Sequence, residues 1–253
     1  DDFKQAKDIE VSGAGGGGGG RSSRQTVVVQ PEARQPVTEA NNLFSVAFAK
    51  TVYALSEGEV EGFPNSIEKD VYLDGVPVQN PDGTNNFDGF TLASRDGDDE
   101  TQTPISGFSQ TENTVGVNVA VTQQAGAITR AITDTDTERA RVIISHPALQ
   151  AQNQETGDIS GTSVAYKIEV NSGGGAFTTV AEPTVEGKSN SEFQRAYEFD
   201  LPGSGPWNIR VSRVTSDSSS SFIQNSINWQ SYVEIIDEKF AYPNTALVAL
   251  KVD

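Results

Sequence analysis

His146 is the single histidine of the chain, and cysteine is absent. A Ser-His-Asp arrangement would have to run through His146, at the end of an apolar run directly before Pro147. No Gly-x-Ser-x-Gly pentapeptide marks a nucleophile, so a structural or surface place is expected for His146. Without cysteine, this chain offers no thiolate nucleophile, Cys-ligated zinc, iron–sulfur ligation or disulfide. The run Gly15 to Gly20 invites a phosphate-loop reading. It is followed by Arg21-Ser22-Ser23-Arg24, whereas that loop needs a Lys-Ser/Thr pair opening a helix. Two acidic groups, Asp96, Asp98, Asp99 and Glu100, and Asp134, Asp136 and Glu138, carry oxygen ligands suited to calcium. Neither has the EF-hand spacing, so both are read as solvated loops. With 35 acidic residues a coincidental carboxylate pair is always available, so a glycosidase pair carries no weight. Trp207, Trp229, Tyr232 and Tyr242 suit either sugar stacking or core packing; alternation along strands favours the core. No catalytic residue, cofactor or metal ligand is assigned, and enzymatic activity is not expected.

The elements that must position these residues are mostly strands. In Trp207 to Val214 apolar and polar residues alternate, the pattern of a strand buried on one face. Similar runs occur at 115–121, 127–133, 140–146, 163–170, 177–181, 195–199 and 227–236, with turn residues such as Asn171-Ser172-Gly173-Gly174-Gly175 between them. That spacing predicts an antiparallel β-sandwich or jelly roll. Asp74-Gly75 between Val71–Leu73 and Val76–Val78 predicts a hairpin. One helix is expected over 41–56. Phe44, Phe48, Val52 and Leu55 fall on one stripe at helical spacing, with Thr38 or Asn41 as cap and Gly58 just past the end. The fold class is therefore mainly β, with an N-terminal arm and one α-helix. The expected organisation is a Gly-rich arm over 1–40, helix and linker over 41–61, a small hairpin region over 62–105, a sandwich over 106–240, and the start of a further domain over 241–253. The absence of an initiating methionine and the apolar alternation at 250–252 read as a piece of a longer protein.

Charge narrows the partners. The chain has 253 residues, of which 35% are hydrophobic, and a net charge of −17. The low apolar share points to arms and contact surface beside a core. The acidity disfavours phosphate backbones and anionic membranes, so sequence-specific nucleic-acid binding is not expected. No run of about 18 apolar residues occurs, so insertion of a helix into a membrane is not expected either.

Several stretches, in order, resemble the tip attachment protein J family of lambda-like siphophages, the central tail hub. They are Tyr53 to Gly62, with its Ser56-Glu57-Gly58 turn; Asp70 to Val78 followed by Pro81-Asp82-Gly83-Thr84-Asn85; Ala148-Leu149 with Thr156-Gly157-Asp158; and Gly187-Lys188-Ser189 with Phe193-Gln194-Arg195. Trp207 to Thr215 follows, then Tyr232 to Asp237 with Tyr242 to Val248. The resemblance covers roughly residues 35–253 and the N-terminal portion of the family. The chain departs from the family in being more acidic and much shorter. The resemblance implies a virion protein at the distal end of the tail and a homotrimer closing the tail tube. Its implied neighbours are tail-tube and distal tail proteins, other tail-tip proteins and the tape measure, and host attachment and DNA delivery fall to the full-length protein. It implies no catalytic residues here, and it makes 241–253 the start of the next hub domain. Phe44, Phe48, Val52 and Leu55 are the candidate interface. Packing of that stripe on the chain's own sandwich is the competing reading. The alternative function is a carbohydrate- or receptor-binding β-sandwich module of an adhesin.

Overall fold

The computed structural model describes residues 34–46, 49–98, 102–238 and 240–252. An irregular arm over 34–46 leads to β1 (Ala49–Glu57), the helical turn α1 (Ile67–Asp70), β2 (Tyr72–Leu73), β3 (Val76–Pro77) and β4 (Phe90–Arg95). Then follow β5 (Gln110–Ala120), β6 (Ile128–Ile132), β7 (Arg139–His146), β8 (Gln150–Gln152), β9 (Ile159–Ser160) and β10 (Thr162–Ser172). β11 (Thr178–Ala181), β12 (Thr184–Gly187), β13 (Phe193–Asp200), β14 (Trp207–Arg213), β15 (Ile223–Gln224), β16 (Asn228–Asp237) and β17 (Thr245–Val252) complete the order.

Two sheets form the sandwich. One runs β13-β7-β16-β5, and the other β11-β10-β14-β6 with β12 also on β10. All these pairings are antiparallel, and they are nested: β5 lies beside β16, β6 beside β14, β7 beside β13 and β10 beside β11. First strand with last, second with next to last, is the order of a jelly roll, a long folded ribbon rolled on itself. The alternation read in Trp207 to Arg213 sets Trp207, Ile209 and Val211 inward and Asn208, Arg210 and Ser212 outward. Those inward residues meet Val142, Ile144, Tyr166, Ile168, Trp229 and Tyr232 in one core drawn from both sheets.

β1, β17 and β4 make a second, smaller sheet with β17 in the centre. The jelly roll is thus an insertion between two strands of that sheet. Leu247 and Ala249 of β17 pack with Ile105, Ala93 and Phe108 where the two bodies meet. β17 therefore shares one sheet with β1 and β4 from the start of the described chain. The hairpin expected at Asp74-Gly75 is present as β2 and β3; both turn residues have positive φ, as a two-residue hairpin loop requires.

The helix expected over 41–56 does not form. Residues 41–46 are irregular, and Ala49–Glu57 is β1, in register with β17 from Ala49 opposite Val252 to Glu57 opposite Thr245. The one helix among the described residues is the four-residue α1. Helical spacing of four apolar residues is a local signal. The partner strand lies nearly the whole chain away, and pairing with it overrides a weak local preference in a segment containing Thr51, Val52 and Tyr53.

Candidate assembly surface

The arm is fastened to the jelly roll at several points. Asp158 accepts the Val37 N–H at 2.7 Å and pairs with Arg34 at 2.6 Å. The Glu39 N–H donates to the Ile159 carbonyl at 2.9 Å, and the Glu39 carboxylate accepts the Gly161 N–H at 2.8 Å. Further on, the Lys188 ammonium donates to the Asn41 side-chain oxygen at 2.8 Å, and Ser45 Oγ accepts the Gln194 N–H at 3.0 Å. A Cβ on Gly187 would lie 2.5 Å from the Asn42 side-chain oxygen and 3.0 Å from Leu43. Glycine at 187 therefore makes room for the arm. The bonds on Asp158 from Val37, Arg34 and Thr156 hold its carboxyl down to about 2.

The three candidate interface residues that the structure describes do not share a stripe. Phe44 lies in the arm, 66% exposed; Phe48 lies outside the described residues; Val52 and Leu55 belong to β1, 40% and 55% exposed. Val52 sits opposite Ala249, on the side of the small sheet that faces the jelly roll, and Leu55 is the extra residue of a β-bulge. Tyr53, 56% exposed, joins them on the same strand. Val52, Tyr53 and Leu55 thus lie on the outer strand of a sheet rather than on a helix. The signal in the sequence was the β-branched and aromatic run Thr51-Val52-Tyr53.

Where the two bodies meet, the outer face of the β13-β7-β16-β5 sheet carries a charged lattice. Arg141 donates to Glu112 at 2.9 and 3.0 Å and to Glu198 at 2.8 and 3.0 Å. Arg139 pairs with Asp237 and Glu198 and donates to Gln110 at 3.0 Å; Gln110 also accepts from Lys50 of β1 at 2.9 Å. The Arg141 guanidinium holds Glu112 below the ordinary carboxylate range. The lattice pins register and ties β1 to the sandwich; every acid in it faces a cation.

The residues weighed for chemistry are placed as follows. His146 is buried, stacked on Phe193 at 4.6 Å between centroids, with Nε2 3.2 Å from the Tyr166 hydroxyl. Burial, with Arg195 and Arg213 adding, lowers its pKa to about 4. Asp134 accepts the Asp136 N–H at 3.0 Å in a local turn. Among the described residues no three His, Cys, Asp or Glu side chains converge as a metal site would require; Asp99 and Glu100 lie outside those residues. Trp207, Trp229 and Tyr232 are core residues, the role that strand alternation favoured; Tyr242 alone of the four is exposed. A groove of about 670 Å³ opens beside Arg213, Asp217, Gln224 and Asn225. It has no aromatic wall, and the Arg213 donors are taken by Asp217, Thr215 and Asn225.

A jelly roll inserted in a small sheet, with an arm pinned along it, defines an antiparallel β protein. The family model for the tip attachment protein J, FNIII-A domain, matches residues 111–238, the span of the jelly roll. Tip attachment protein J of Escherichia phage SECphi27 is 35% identical over 219 residues, covering 86% of this chain and 18% of that protein. Tip attachment protein J of Escherichia phage SECphi4 is 36% identical over 227 residues, with 86% and 19% covered. The chain belongs to the tip attachment protein J family, and it spans about a fifth of the length of those relatives. In a fibronectin type III-like sandwich the first strand lies beside the second; here β5 lies beside the last strand, β16. The infectious bursal disease virus Gx strain structure superposes with a TM-score of 0.30 at 11% identity, over 85% of this chain and 58% of that one. That superposition is too weak to assign a fold, which rests here on strand order.

Proposed function

We propose that this chain is the N-terminal part of a phage tail-tip hub, a structural component at the distal end of the tail rather than an enzyme. The full-length protein closes the tail tube as a homotrimer, meets tail-tube, distal tail and other tip proteins and the tape measure, and serves host attachment and DNA delivery. Membership of the tip attachment protein J family carries this reading. The fold supports it: polar groups fasten arm, sheet and jelly roll to one another, and the arm (Val37, Phe44, Val46) and the outer strand β1 (Val52, Tyr53, Leu55) both carry exposed apolar side chains. A cyclic trimer needs a heterologous interface, two different surfaces of the same chain. The net charge of −17 would keep passing DNA from adhering to these surfaces.

Immunogold electron microscopy of virions, with an antibody raised to this chain, tests the reading. Label is expected at the tail end away from the capsid, on intact or disrupted tails. Disrupted tails that stay unlabelled and lack the chain by mass spectrometry would overturn it.

A further inference from the structure

β1 has one hydrogen-bonded neighbour, β17, and its other edge has no partner among the described residues. The stretch Thr51-Val52-Tyr53-Ala54-Leu55 holds no charge and no proline; Lys50 and Glu57 stand at its ends. Stable monomers blunt a free edge with charges, prolines or bulges, because it otherwise pairs with any available strand. Here the single irregularity falls at Leu55, and Ala49–Ala54 is regular. Such an edge accepts an added strand through its main-chain groups.

We propose that this edge takes Thr26–Gln30 of a second copy of the chain as an added antiparallel strand. The proposal rests on the multi-copy hub proposed above. Thr26-Val27-Val28-Val29-Gln30 is an uncharged, β-branched run ended by Pro31, matched in length and character to the middle of β1. Its flanks match in charge. An antiparallel register with Val28 opposite Tyr53 brings Arg24 to the Glu57 end and Glu32 to the Lys50 end. The parallel sense would set Arg24 near Lys50 and Glu32 near Glu57, like against like.

The route of the arm argues for a second copy. Lys50 of β1 meets Gln110, which lies by Arg139 at the Asp200 end of β13; backwards from there the arm passes Gln194 at the other end of β13, then Lys188, then Ile159 and Asp158. Arg34 is held at Asp158, and from there Gln30 reaches at most about 14 Å and Thr26 at most about 28 Å. The arm thus leads away from its own β1, and a neighbour's arm would arrive from outside. Arm and edge would then be the two unlike surfaces that close a ring.

The test places cysteines in the full-length protein in purified tails, as Val28→Cys with Tyr53→Cys and separately Val29→Cys with Val52→Cys. Mild oxidation is followed by non-reducing gels and mass spectrometry of the linked peptides. Most chains are expected to be linked to another copy in at least one pair, with no such link in the single-cysteine variants. Links confined to one chain, or free thiols in both pairs, overturn the proposal. Unsubstituted tails give an independent reading by hydrogen exchange. Amides of 26–30 are expected to exchange at least tenfold more slowly than those of the glycine run, and equal rates overturn the proposal. Copy number by native mass spectrometry separates the two failures: several copies with unlinked arms sink the strand exchange alone, and a single copy sinks the hub reading itself.

Discussion

Asn42 and Lys188 form a reciprocal pair: the Asn42 N–H donates to the Lys188 carbonyl at 3.0 Å, and the Asn42 side-chain oxygen accepts the Lys188 N–H at 2.7 Å. One arm residue satisfies both main-chain groups of a residue in the loop after β12, as a strand partner would. Asn42→Ala leaves the buried Lys188 with an unmet N–H, a cost of about 1–2 kcal/mol. The expected outcome is arm release without loss of the sandwich. Hydrogen exchange at least tenfold faster over 34–46, with β10 and β14 unchanged, is the measurement.

His146 gives the fold an acid limit. Its folded pKa of about 4 lies below the ordinary imidazole value, so the unfolded chain takes up the proton first as pH falls. Its contribution is complete above pH ~6.5 and is lost as pH falls through about 4, by at most ~3 kcal/mol for this shift. Protonation would also put a hydrogen on both ring nitrogens, and Nδ1 is buried without a hydrogen-bond partner. Urea unfolding at pH 7 and pH 5 should show the loss, and a His146→Gln variant should show a flatter dependence over the same range.

Arg141 holds two carboxylates, Glu112 and Glu198, from the two edge strands of its sheet, β5 and β13. Arg141→Met leaves Glu112 without its arginine and Glu198 with Arg139 alone, beside a largely buried position, costing roughly 2–4 kcal/mol. Adding Glu112→Gln and Glu198→Gln should recover more than half of that loss in the same denaturation assay. Failure to recover would mean that the arginine acts through packing rather than charge.

Gly97 stands where β4 turns away from the small sheet. Its φ is +80°, and a Cβ there would lie 2.8 Å from the Ala246 nitrogen and from the Gly58 carbonyl oxygen, both main chain and unable to swing aside. Gly97→Ala is expected to cost roughly 1–3 kcal/mol. The damage should localise to β1, β4 and β17, read as faster amide exchange there than in the jelly roll.

Reading along the chain was enough for whatever depends on neighbours in sequence. Strict alternation in Trp207 to Arg213 specified a one-sided strand, and Asp74-Gly75 specified a hairpin, because side-chain period and turn backbone are local properties. The ordered motifs marked the family, which the comparisons bear out. Composition alone removed cysteine chemistry. Long-range packing settled what depends on a distant partner. Val52 and Leu55 read as a helical stripe until β17, nearly two hundred residues on, supplies the hydrogen bonds that make the segment a strand. Gly187-Lys188 reads as a family motif; only the arm lying against it shows why glycine stands there. Trp207, Trp229 and Tyr232 could have faced a sugar or a core, and the packing of two sheets makes that choice. A local pattern sets which face of an element is apolar, but the fold decides what that face meets, since burial is a property of the pair.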